Sequence, residues 1–209
     1  MINSLADINP LHIQYAHRYL GRFMDITVDE LKELLTYCEI RKFDKRTVIV
    51  KEGEVDNYLN LVVTGMVMKY LPVKNSMAIL QLATEGHVID SEISFLTRQP
   101  SIVVVETLEP TIMVSLSHAK MEEALDKFVH GNRLGRMILR GMYIKKDEHR
   151  YVRLAKTVRE RFFDYIENHP HMLQRVPQKY LASYLQIKPE TFSRLKVIYH
   201  KMKKSGTGK

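Results

Sequence analysis

The sequence predicts an α+β chain: a run of short strands over residues 40–117, helices on both sides of that run, and a two-helix module near the carboxyl end. Three observations predict it. Between Ile40 and Ser117, short runs of Val, Ile, Leu, Met and Tyr are cut by Gly53, Gly65, Pro72, Gly86, Pro100 and Pro110, the texture of closely spaced strands. Outside that stretch the apolar residues recur three and four apart, the period of a helix. Charge is also divided: residues 1–130 hold 13 Lys/Arg and 18 Asp/Glu, a net −5, whereas residues 131–209 hold 19 and 6, a net +13.

The first helix starts at Thr27, where Thr27 and Glu30 have capping-box spacing and Val28, Leu31, Leu34, Leu35 and Cys38 share a face. Cys38 then reads as a packing residue. Strands are predicted at Thr47–Val50, Asn57–Val63, Met66–Leu71, Met77–Leu82 and Ile102–Thr107, enough for a small barrel or roll. Ser117 caps a helix carrying Met121, Leu125 and Phe128, and Asn132 opens a longer one. Along it, Leu134, Met137, Gly141, Ile144, Glu148 and Tyr151 trace a stripe. Such a stripe suits an identical helix in a dimer or packing against the strands, and Gly141 permits close approach in either arrangement. A further amphipathic segment, Val158, Phe162, Phe163 and Ile166, closes before Pro170.

Composition narrows the function. A single cysteine, Cys38, excludes an intrachain disulfide, a multi-thiolate zinc site and an iron–sulfur cluster. His12, His17, His87 and His118 have no ligand-like spacing, so no metal is assigned. The sequence has no phosphate-binding glycine loop, serine elbow or His-Glu-x-x-His, so an enzyme is not expected. Met1–Asp7 lacks a basic segment followed by an apolar run, and the most apolar stretch, Ile102 to Leu116, is broken by Glu106, Glu109 and Pro110. A cytoplasmic protein with no membrane partner is expected. The basic carboxy-terminal part has the electrostatics of a polyanion-binding module, or of a well-solvated basic surface.

Val176 to Leu195 reads as two short helices around a tight turn. Leu181, Ala182 and Leu185 give the first helix a small or apolar face, while Ile187, Phe192, Leu195 and Ile198 anchor the turn and second helix. Ala182 lets two steeply crossing helices approach. Pro189 suits the first helical position, where the N–H it lacks has no partner. Glu190, Thr191, Ser193, Arg194 and Lys196 are left facing outward. On a helix entering the major groove, Arg194 can bond a guanine bidentately and Glu190 can accept from a cytosine. Lys179, Lys188, Thr191, Ser193, Lys196 and Lys201 complete the expected DNA contacts, as positioning residues. The same surface could instead dock a protein partner, and salt dependence separates the two.

Lys51-Glu52-Gly53-Glu54, followed by Leu61-Val62-Val63-Thr64-Gly65-Met66-Val67, resembles the paired-glycine signature of the cyclic-nucleotide-binding-type β-roll of Crp/Fnr regulators. Pro189-Glu190-Thr191-Phe192-Ser193-Arg194 is similar to the recognition helix of that family. The resemblance implies an antiparallel, jelly-roll-like sensor roll over residues 1–130 and a central dimerisation helix and hinge over 131–152, with Leu134, Met137, Gly141 and Ile144 at the interface. It implies a winged-type helix-turn-helix over 153–209, the wing lying near Met172 to Val176 because few residues follow the second helix. It also implies a homodimer on palindromic double-stranded promoter DNA, in contact with RNA polymerase. Family members that bind cyclic AMP hold its phosphate with Gly-Glu and then Arg-Ser or Arg-Thr. Here Ser91 replaces the glycine and Pro100 stands where the arginine is expected, while Glu92 and Ser101 persist. Ser91, Glu92, Arg98 and Ser101 are the candidate effector pocket. An anion buried there without its guanidinium partner is poorly paired, so no cofactor is expected; a cyclic nucleotide is the alternative, with Arg98 substituting through a shifted loop. Gln186 occupies a turn position where many helix-turn-helix sequences have glycine, which predicts local strain or a different turn geometry.

Overall fold

The computed structural model describes residues 9–74 and 76–206. Its strands are β1 (Cys38–Phe43), β2 (Val48–Val50), β3 (Tyr58–Thr64), β4 (Val67–Val73), β5 (Ser76–Ala83), β6 (Val88–Ile89), β7 (Val104–Thr107) and β8 (Thr111–Ser117). They form two antiparallel four-stranded sheets, ordered β1-β8-β3-β6 and β2-β7-β4-β5. The apolar run Leu61-Val62-Val63 explains how the layers meet, because alternate residues of a strand face opposite sides. Val62 packs with Val50, Val67, Ala83, Ile89, Val105 and Met113, drawn from both sheets. Leu61 and Val63 join Ile40 and Val114 in a second core beneath the flanking helices. A strand buried on both faces loses the alternation of polar and apolar residues and reads as a continuous apolar run.

The helices are α1 (Pro10–Leu20), α2 (Val28–Leu35), α3 (Glu92–Thr97), α4 (His118–Lys127), α5 (Gly131–Ala155), α6 (Val158–Asn168), α7 (Met172–Arg175), α8 (Gln178–Tyr184) and α9 (Pro189–Gly206). The chain divides into two compact units inside α5, at Met142 and Tyr143. In the first, Ala16 and Leu20 of α1, Leu31 and Leu35 of α2, Phe128 and Leu134 share the second core. Gly65 belongs to this unit and has to be glycine: its φ is +96°, and a Cβ there would stand 2.3 Å from the carbonyl oxygen of Pro110.

The sequence-based expectations need four corrections. Helix α1 was not expected, although Asn9 caps it, Pro10 opens it and His12 closes a capping box. Helix α2 has the expected Thr27–Glu30 capping box but stops at Leu35. Val28, its first residue, is exposed, and Cys38 starts β1 opposite Leu116; its half-buried thiol is pushed up to about 12 by burial, away from thiolate chemistry. The third correction concerns the α5 stripe. Leu134 is buried in the core of its own roll, and Gly141 faces the Phe23 ring so closely that a Cβ would lie 2.5 Å from it. Of the four residues expected at a dimer interface, Ile144 is exposed and Met137 half-buried. Finally, Met172 to Val176, the place expected for the wing, is the helical turn α7 and the residue after it, and no strand occurs among the described residues of the second unit. The start at Met1–Asp7 and the residues after Gly206 lie outside the described residues.

Candidate functional site

In the second unit, Phe162 of α6 and Phe192 of α9, both fully buried, meet edge to face with centroids 5.1 Å apart. Ile166, Leu181, Ala182 and Leu195 are buried as well. Helix α8 ends in a Schellman motif: the Ile187 N–H donates to Ala182 O at 2.8 Å and the Gln186 N–H to Ser183 O at 3.0 Å. Between them Gln186 adopts a left-handed φ of +54°, so the strain expected at that position is present. Pro189 then opens α9, with the Phe192 N–H on Lys188 O at 2.9 Å. Replacing Gln186 by glycine is expected to raise this unit's stability by about 0.5–1 kcal/mol, since a side chain costs most where φ is positive. A rise in the urea midpoint at unchanged slope checks it.

The buried side of α9 carries Phe192, Leu195 and Tyr199. Glu190, Ser193, Arg194 and Lys201 are exposed, as are Lys179 and Lys188 ahead of the helix, and Thr191 and Lys196 are half-buried at its flanks. Lys196 also lines a shallow groove with Pro170, Leu173, Gln174, Tyr199 and His200. The exposed stripe further includes Val197, which is 52% exposed. Assigning only polar residues to the outward face had left it out, although it stands seven residues, two helical turns, beyond Glu190.

The candidate effector pocket lies where β6 hands over to α3. Asp56, 2% exposed, accepts from the Ser91 N–H at 2.7 Å and the Tyr58 N–H at 3.0 Å, while its own N–H donates to Ser94 Oγ at 2.9 Å. Burial pushes its carboxyl above the usual range, opposed by those hydrogen bonds and by Arg41 and Arg98. Ser101 Oγ lies 2.9 Å from Ser91 Oγ and 2.7 Å from Val103 O, and accepts from the Val103 N–H. Arg98 donates to Asp56 O at 2.8 Å, to Phe95 O at 3.1 Å and to Asn57 Oδ1. Lys69, on the face of β4 that also carries core residue Val67, places its ammonium 2.6 Å from Glu92 Oε2 and 3.0 Å from Asp90 O. Its side chain is 6% exposed and that of Glu92 27%. The cations near the pocket are thus engaged by protein acceptors, and a buried carboxyl sits among the serines.

Residues 40–128 match the family model of the cyclic nucleotide-binding domain. The match covers the two sheets, α3 and α4, and stops short of the second unit. No curated protein matches the chain. Among solved structures, FixK2 from Bradyrhizobium japonicum is similar with a TM-score of 0.62 and 22% identity, over 79% of this chain and 85% of that one. CLP, a c-di-GMP responsive global regulator from Xanthomonas campestris, gives 0.60 and 14%, over 86% and 93%. A cyclic nucleotide-binding domain from Methylobacillus flagellatus gives 0.61 and 19%, over 69% and 84%. At such identities the likeness establishes a shared fold.

In the first unit, Gly53 and Gly65 both have positive φ, as their place in turns requires. His12 bonds Asn9, His17 meets Ile26 O, His87 meets Thr84, and His118 meets the Phe95 ring edge to face. No cluster of three or more metal-ligating side chains occurs among the described residues, and no helix among them is long and apolar enough to cross a membrane.

Proposed function

We propose that the chain is a sequence-specific DNA-binding transcription regulator of Crp/Fnr type, a homodimer that sets two copies of α9 on successive major grooves of a palindromic site, roughly 34 Å apart. It acts on promoters together with RNA polymerase and is not an enzyme. One observation carries the reading: a Schellman-closed turn seats α9 on Phe162 and turns Glu190, Ser193, Arg194 and Lys201 to solvent, within a segment of net charge +13. The dimer is supported by the apolar and aromatic side chains that α5 leaves exposed, among them Leu139, Tyr143, Ile144, Tyr151 and Leu154.

The residues of the effector pocket do not fit a cyclic phosphate. Such a ligand needs a guanidinium or an equivalent cation facing it, whereas Arg98 is spent on backbone and Asn57, Lys69 is paired with Glu92, and Asp56 adds a buried carboxyl. The domain is therefore read as working without a cyclic nucleotide.

Selection of bound fragments from random duplex DNA by the purified protein tests the function. On the selected operator, Arg194→Ala is expected to cost about 1–3 kcal/mol and relax one base preference, whereas Lys201→Ala weakens all sequences alike and lowers the salt slope by about one. An equal loss on operator and random DNA for Arg194→Ala would remove it as a reader.

A further inference from the structure

Val197 is the apolar member of an otherwise polar stripe. Glu190, Ser193, Arg194 and Val197 stand at i, i+3, i+4 and i+7, the neighbours of one helix face, and the same spacing separates the reading residues of a homeodomain recognition helix. An exposed apolar residue is ordinary by itself; its position on this stripe is what makes it informative. A β-branched residue in a helix interior loses side-chain freedom, and at 52% exposure burial in its own fold returns little of that. Met202, also exposed, lies off the stripe, since twelve residues from Glu190 is a third of a turn out of phase.

Resting on the DNA-binding reading, we propose that Val197 is a specificity-determining residue that packs on the C5-methyl group of a thymine in the major groove. That methyl is the apolar feature among the donors and acceptors that base pairs present there. Seven residues of helix advance about 10 Å, about three base steps at 3.4 Å each. The thymine therefore falls within about three base pairs of the base met by Glu190.

The test uses the full chain and the operator obtained by selection, with each thymine replaced in turn by deoxyuridine, which removes the methyl and keeps every hydrogen-bonding group. One position in each half-site is expected to lose roughly fourfold in affinity, the fold-change that burying one methyl gives. Val197→Ala is expected to bind thymine and uracil operators alike, while Val197→Ile keeps the discrimination. Specific binding with no uracil penalty at any position, or a penalty that survives in Val197→Ala, overturns the assignment of Val197 and leaves the DNA-binding reading standing. Failure to enrich any sequence overturns that reading and this inference with it.

Discussion

Glu92→Leu is expected to destabilise the first unit by roughly 3–5 kcal/mol, the usual cost of leaving one partner of a buried ion pair uncompensated. The ammonium of Lys69 would keep the Asp90 carbonyl but lose the carboxylate 2.6 Å away, and at 6% exposure its side chain cannot recover that charge from water. Lys69→Met should cost less, because Glu92, at 27% exposure, can turn to solvent. The double variant Lys69→Met with Glu92→Leu should regain much of the loss, since an apolar pair of similar volume removes both desolvation penalties. Urea unfolding of the four proteins closes the cycle. Equal stability for Glu92→Leu and the parent would show that the pair contributes nothing.

Phe192→Ala is expected to cost roughly 3–5 kcal/mol, because it deletes a fully buried ring and leaves a cavity. The loss includes the edge-to-face contact with Phe162 at 5.1 Å, worth about 0.5–1.5 kcal/mol beyond the area buried. It falls on the second unit and, by releasing α9 from its seat, is expected to abolish the proposed DNA binding. In a chain of two compact units a single unfolding midpoint is not a complete description. Scanning calorimetry should show Phe192→Ala lowering one transition and Glu92→Leu the other. Loss of both transitions together in either variant would contradict independent cores.

The two-helix module near the carboxyl end was legible because each of its signals is local. A small residue at the crossing, an apolar triad, a proline at the first helical position and a polar outer face all follow from the period of a helix. The strain at Gln186 was equally readable, since a turn that needs positive φ penalises any side chain. The wing was assigned to Met172 to Val176 by elimination and not from any strand pattern in those residues. The chain there closes a helical turn whose Met172 and Val176 are buried. The α5 stripe left two readings open for another reason: periodicity shows that a face is apolar and cannot say what covers it. Leu134 is covered by the core of the roll and Gly141 by Phe23.

The candidate effector pocket divides in the same way. Absence of the phosphate-binding arginine could be read from Pro100, because that departure is a single identity at an expected place. Engagement of Arg98 and Glu92 could not, as each depends on residues far away in the chain: Arg98 on Asp56 and Asn57, Glu92 on Lys69. By itself the sequence determined a run of strands flanked by helices, the basic carboxy-terminal part and the two-helix module, since periodicity, turn chemistry and charge act over a few residues. Only the tertiary structure decided which charges are already neutralised inside the roll and which face of α9 meets solvent. Those outcomes depend on distances between residues remote in sequence, and a buried charge is settled by the partner that folding brings to it.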